Sequence, residues 1–106
     1  MLKRLSCLVA VSAVLGGPAF ACDYPAGDIG ELPRGATATQ QEIDAARQRV
    51  AAYVRQLEEY AACMDGRPGG SRDRDRAIEE AQRVAERMNR EIRQFNRSMQ
   101  LRQAST

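Results

Sequence analysis

The sequence predicts an all-α protein: an antiparallel two-helix hairpin with coiled-coil-like packing, preceded by an extended arm rich in proline and glycine. Three observations predict this fold. Two long segments carry apolar residues at alternating steps of three and four, a short glycine- and proline-rich stretch separates them, and a further stretch of prolines and glycines comes before the first. Alternating steps of this kind place the apolar residues on one face of an α-helix.

The first helix is predicted over about 39–64. Thr39 is followed three residues later by Glu42, which is the spacing of a capping box, where each side chain binds a backbone N–H left free by the first helical turn. The apolar series then contains Ile43, Ala46, Val50, Tyr53, Leu57, Tyr60 and Met64. Because arginines and glutamates lie off this series, the segment is an amphipathic helix.

The linking stretch ends the first helix and starts the second. We expect Gly66 to take a left-handed conformation as the C-cap, since glycine tolerates a positive φ, and Pro68 cannot continue a helix. Ser71 or Asp73 can cap the next helix with a side-chain oxygen.

The second helix is predicted over about 72–101. Its apolar series contains Ile78, Ala81, Ala85, Met88, Ile92, Phe95 and Met99. A short link between two long helices makes them antiparallel, and the seven-residue repeat predicts left-handed packing with a crossing angle of roughly 20°. The organisation is therefore a signal peptide over 1–21, an extended arm over 22–38 (hereafter the arm) and a helical hairpin over 39–106.

The first 21 residues have the pattern of a secretory signal peptide. Lys3 and Arg4 precede a short apolar run, and Ala19 and Ala21 lie at the −3 and −1 positions of a cleavage point before Cys22. The run is shorter than the ~20 apolar residues that span a bilayer. We therefore expect a periplasmic or secreted protein that begins at Cys22.

Two cysteines remain after the predicted signal peptide, and an oxidising compartment favours a disulfide between them. Cys63 lies about 36 Å along the first helix from Thr39, and the arm reaches up to ~53 Å when extended. The arm can therefore run back along the hairpin and bring Cys22 against Cys63. A bridge between two hairpins, and lipidation of Cys22, are the alternatives.

Composition excludes several classes of function. After the signal peptide the chain holds fourteen arginines and fourteen acidic residues, which gives no net charge and no basic face for nucleic acid. Histidine is absent, which removes the commonest general base and metal ligand. No nucleophile–base pair, phosphate-binding loop or metal-ligand spacing occurs. We expect no enzyme activity, no cofactor and no metal.

Two patterns have a functional and a structural interpretation. Tyr53 and Tyr60, seven residues apart, could form an aromatic platform for a ligand, but core filling is the simpler interpretation. The second helix carries an arginine series that could meet an anionic polymer, but interspersed acids favour a solvated face. This series contains Arg83, Arg87, Arg90, Arg93 and Arg97.

The sequence resembles a group of small exported helical proteins of proteobacteria. The resemblance is carried by Cys22 with Tyr24-Pro25 after the signal peptide, followed by Ala36-Thr37-Ala38-Thr39, Glu42, Val50-Ala51-Ala52-Tyr53-Val54 and Glu58-Glu59-Tyr60-Ala61-Ala62-Cys63-Met64-Asp65. A second helix like that of 77–95 follows in the group. The resemblance implies export and a disulfide, and no activity.

The function predicted from these observations is a non-catalytic structural or protein-interaction module, stapled by a disulfide. A lone hairpin would leave Val54, Ala61 and Val84 half-exposed, which predicts a protein partner or self-association, for example as a four-helix bundle. A periplasmic chaperone-like or stress-related binder is one alternative, and a lipoprotein anchored to the membrane through Cys22 is another.

Overall fold

The structure is a computed structural model, and it describes residues 21–105. It contains two helices, α1 (Gln40–Asp65) and α2 (Ser71–Ala104), which pack against each other as an antiparallel hairpin. No strand occurs in the described range. The predicted all-α hairpin is confirmed, with α2 extending three residues beyond its predicted end. The predicted signal peptide lies, except for its last residue, outside the described residues.

The N-terminus of α1 has the predicted capping box. The hydroxyl of Thr39 accepts a hydrogen bond from the backbone N–H of Glu42 at 3.1 Å, and the carboxylate of Glu42 accepts one from the N–H of Thr39 at 2.8 Å. Both groups satisfy donors that helix formation leaves free, so α1 begins at the residue that follows Thr39.

The link between the helices differs from the prediction in two details. Gly66 ends α1 with φ −85°, so the predicted left-handed C-cap is wrong, and the positive φ occurs at Gly69 instead, at 76°. Gly70 precedes α2 without any side-chain cap, so neither Ser71 nor Asp73 has the predicted role. A side chain at Gly70 would overlap the carbonyl oxygen of Met64, which explains why a glycine occupies this position.

The apolar series of α1 forms most of its buried face. The buried residues of α1 are Ile43, Ala46, Val50, Tyr53, Leu57 and Ala61. Tyr60 and Met64, which the series also includes, are half-buried. Ala61 is buried where we expected it to be half-exposed, whereas Val54 is half-buried as expected.

The buried face of α2 is rotated by roughly 40° from the predicted one. Its buried residues are Ala77, Ala81, Val84, Met88 and Phe95, so Ala81, Met88 and Phe95 are buried as predicted, and Ala77 and Val84 replace Ile78 and Ala85. Val84 is therefore buried rather than half-exposed, and Ile78, predicted as a core residue, is 40% exposed. Ala85, Ile92 and Met99 are half-buried.

The arm explains this rotation, because it packs against one side of α2. The N–H of Gly35 donates to the carboxylate of Glu91 at 2.8 Å, and the hydroxyl of Ser98 donates to the carbonyl of Ala36 at 3.0 Å. Ile29 of the arm is itself buried. The apolar face of α2 thus turns toward two neighbours, α1 and the arm, and the residues on its other side become partly exposed.

Replacing Gly35 by alanine should loosen the arm. A Cβ atom at this position would overlap the carbonyl oxygen of Glu91 and would lie 2.8 Å from the backbone nitrogen of Phe95. Overpacking of this kind costs about 1–3 kcal/mol. We expect urea unfolding to show a loss of that size, and an unchanged midpoint would contradict the close contact. Gly66→Ala is a control for glycine replacement, because Gly66 has a φ of −85° and the nearest atom to its Cβ position, the carbonyl oxygen of Cys63, lies at an ordinary contact distance of 3.7 Å.

Candidate functional site

The structure joins Cys22 to Cys63 in a disulfide, with 5.7 Å between the two Cα atoms. Cys63 lies in the last turn of α1, next to the link between the helices. The arm therefore starts at the link end of the hairpin, runs along it, and enters α1 at the other end through Thr39. This is the path that the reach of the arm predicted, and it brings the two predicted site residues together.

Two tyrosines pack beside the disulfide. The rings of Tyr24 and Tyr60 meet edge to face, with 5.0 Å between their centroids. They border an open cleft of about 540 Å³, which Gln56 and Glu59 also line. Tyr24 is 43% exposed, so this cluster holds the arm against α1 while one ring meets solvent.

Tyr53 does not join Tyr60 in an aromatic platform. Its ring is buried in the core, and its hydroxyl donates to the carboxylate of Glu80 at a long 3.5 Å. Burial is the largest cause that raises the pKa of Tyr53 above its ordinary value, the Tyr24 hydroxyl and Asp28 raise it further, and Arg83 opposes them. The core-filling interpretation of Tyr53 agrees with this environment.

The raised pKa of Tyr53 predicts a loss of stability in alkali. The unfolded chain releases this proton near the ordinary pKa of about 10, before the folded protein does. The contribution is therefore complete below that pH and is lost as the pH rises through the higher pKa of the folded state. Between about pH 8 and pH 11 the wild type should lose more unfolding free energy than Tyr53→Phe. Equal losses, measured by urea unfolding at both pH values, would contradict this assignment.

The arginine series of α2 is exposed along its whole length. Arg83 pairs with Glu80. The members do not converge on a buried group, which agrees with the solvated-face interpretation. In the described residues no group of three or more acidic or cysteine side chains is placed to hold a metal ion, and no described helix is long and apolar enough to cross a membrane.

A second face of α2 has a composition unlike the rest of that helix. Fifteen of its 34 residues are charged. Seven residues at alternating steps of four and three are all uncharged, and we call them the uncharged stripe. The stripe contains Ile78, Gln82, Ala85, Asn89, Ile92, Asn96 and Met99. None of the seven is buried in the structure, and together they extend for about 32 Å along the helix axis.

The amide positions of the uncharged stripe lie on the side of α2 that faces away from the arm, whereas Ile92 and Met99 each follow an arm-binding residue by one position, roughly 100° around the helix. Glu91 and Ser98, which bind the arm, each follow a stripe residue, Asn89 and Asn96, by two positions. Two positions correspond to roughly 200° around a helix. On α1, the half-buried Val54 lies roughly 140° around the helix from Arg49, which binds the arm, and therefore on the side toward the stripe. Within the described residues Ile92 and Met99 pack against the edge of the core, and the remaining surface of the stripe is uncovered.

The sequence pattern contained this stripe, although the prediction assigned its apolar members to the contact with α1. A signal was present in Gln82, Asn89 and Asn96, which recur at seven-residue spacing without a charge.

Comparisons of the chain with protein-family models, with curated proteins and with solved structures give no match.

Proposed function

We propose that this protein is an exported, non-catalytic interaction module, in which a disulfide-stapled hairpin presents the uncharged stripe of α2 to another protein. The observation that carries the proposal is that a helix with fifteen charged residues leaves one seven-residue stripe free of charge, with none of its members fully buried. A helix face that only meets water is normally polar and charged, as the rest of α2 is.

The composition of the stripe fits a contact with another helix. Its apolar members recur every seven residues and alternate with amides, which is the spacing of the core positions of a coiled coil. Asparagine at such a position lowers affinity but restricts the register and the number of helices. This mixture of apolar and amide side chains suits a specific contact between folded proteins better than a fully apolar face would.

The opposite side of the hairpin supports the same proposal by keeping the stripe in place. The arm binds Glu91 and Ser98 and is fixed at its start by the disulfide. α1 and the arm therefore hold α2 on two sides, and the uncharged stripe is left on the third side. The disulfide is also consistent with an oxidising compartment, and we place the protein in the periplasm or outside the cell.

Two alternatives receive less support. Lipidation at Cys22 would require the sulfur atom that the disulfide to Cys63 uses. A chaperone-like binder needs a broad exposed apolar surface, whereas the large hydrophobic residues exposed in the described region are Tyr24, Ile78 and Leu101, on different parts of the hairpin.

Photo-crosslinking in the native cells tests the proposal. A photoreactive amino acid at Asn96, on the stripe, should give a discrete crosslinked protein band. The matched control is Gln94, which is also exposed on α2 but lies roughly 200° around the helix. Crosslinking from Asn96 alone supports an interaction through the stripe. Equal crosslinking from both sites, or none from Asn96, would overturn it.

A further inference from the structure

We infer that the protein bound by the uncharged stripe is a second copy of this chain, with the two α2 helices antiparallel. This inference rests on the proposed function and specifies its partner. It follows from the distribution of charge along α2 and along the border of the stripe.

The charges of α2 are unevenly distributed along its length. Its first ten residues hold four acids and three arginines, a net charge of −1, whereas every charged residue after Glu91 is an arginine. Two parallel copies would place the arginine-only ends side by side. Antiparallel copies would keep the two arginine-only ends apart and place each beside the end of the other copy that holds all but two of the acids of α2.

The border of the stripe shows the same complementarity at single residues. Glu79, Glu86 and Arg93 recur every seven residues beside the amide positions of the stripe. In an antiparallel pair this border faces the same border of the second copy in reverse order. Glu86 of each copy then lies near Arg93 of the other, and the two-fold symmetry forms this ion pair twice. In a parallel pair this border would face the opposite border of the second copy, so Glu86 and Arg93 would not meet across the contact.

The rest of the hairpin permits this approach without rearrangement. The arm binds α2 through Glu91 and Ser98, away from the amide positions of the stripe, and its disulfide joins it to α1, so neither takes part in the contact. If Glu86 of each copy lies near Arg93 of the other, the two-fold axis passes midway between these two positions. Asn89 lies close to that midpoint. The half-buried Val54 of α1 borders the same face, and the assembly is a pair of hairpins with four helices.

Sedimentation velocity of the purified, oxidised protein over a range of concentrations tests the inference. The wild type should dimerise reversibly. Asn89→Arg, which places a charge in the contact without touching the hairpin core, should weaken self-association by more than about tenfold. Gln94→Arg adds the same charge to the other side of α2 and should leave self-association unchanged. Circular dichroism of both variants checks that α2 remains helical.

Charge reversal tests the antiparallel orientation. Arg93→Glu and Glu86→Arg should each weaken the dimer, and the double variant should restore it, because each ion pair is then rebuilt with its charges exchanged. Arg87→Glu is the control for Arg93→Glu, since Arg87 is exposed on the side of α2 away from the stripe. Single variants without effect, or a double variant without rescue, would overturn the antiparallel arrangement.

The outcomes separate this inference from the proposed function. A wild type that stays monomeric at the highest concentrations, or a dimer that Asn89→Arg leaves intact, overturns the inference. If Asn96 then crosslinks to a different protein, the stripe is still an interaction surface with another partner. If Asn96 crosslinks to nothing, the proposed function fails as well.

Discussion

Replacing both Cys22 and Cys63 by serine should lower the free energy of unfolding by about 3–4 kcal/mol. The disulfide joins residues separated by 41 positions and so restricts a long loop in the unfolded chain. This is a large share of the stability of a small domain, because such domains are stable by only about 5–15 kcal/mol. We expect the double variant to unfold at a much lower urea concentration than the oxidised wild type.

Reduction of the wild type provides the control for this prediction. The reduced wild type and the double serine variant should unfold at similar urea concentrations, because both lack the same covalent bond. Non-reducing electrophoresis should show the oxidised wild type as a single chain, which distinguishes the internal disulfide from a bridge between two hairpins. A loss below about 1 kcal/mol would show that the arm adds little constraint to the unfolded chain.

Replacing Leu57 by alanine should destabilise the hairpin by about 2–5 kcal/mol. Leu57 is completely inaccessible to solvent in the middle of α1, where it packs between the helices. Removing its side chain loses apolar burial and leaves a cavity. Because the core is formed only by two helices and the arm, few neighbouring side chains can move to fill this cavity.

Leu101→Ala is the matched control, because it makes the same chemical change at a residue that is 64% exposed. We expect its effect to stay within about 0.5 kcal/mol. Urea unfolding followed by circular dichroism measures both variants. Similar losses for the two variants would show that the packing between α1 and α2 is looser than the burial of Leu57 indicates.

Local chemistry made much of the fold predictable. The start of α1 follows from Thr39 and Glu42, whose side chains bind the backbone within one turn. The start of α2 was harder to predict, because Ser71 and Asp73 are good capping residues, yet the helix is preceded by Gly70 without a side-chain cap. Gly70 lies so close to the backbone of Met64 that a side chain would not fit. That closeness depends on how the link folds back on α1, which no local pattern reports.

The rotation of α2 shows the same limit for packing. A seven-residue pattern tells which residues share a face, but not which neighbour that face meets. Ile78 and Ile92 belong to an apolar series and were expected in the core. The arm binds at Glu91, so the buried face of α2 turns partly toward the arm, and Ile78 and Ile92 are left at the edge of the core.

The candidate site was predictable only in its covalent part. After the predicted signal peptide the chain has two cysteines, and the arm is long enough to join them, so Cys22 and Cys63 followed from counting and reach. The contact between Tyr24 and Tyr60 needed the path of the arm. The uncharged stripe became visible only when the structure showed that its apolar members lie at the edge of the core or in solvent.

The disulfide also divides the chain into a covalent ring and a tail. The ring runs from Cys22 through the arm and nearly all of α1 to Cys63, and α2 lies outside it. A protease cut in the link between the helices would leave the ring closed and α2 attached by packing alone. A pull on the C-terminal end would likewise peel α2 away without loading the sulfur–sulfur bond. The helix that carries the uncharged stripe is thus the one part of the described fold that can be detached while the ring stays closed.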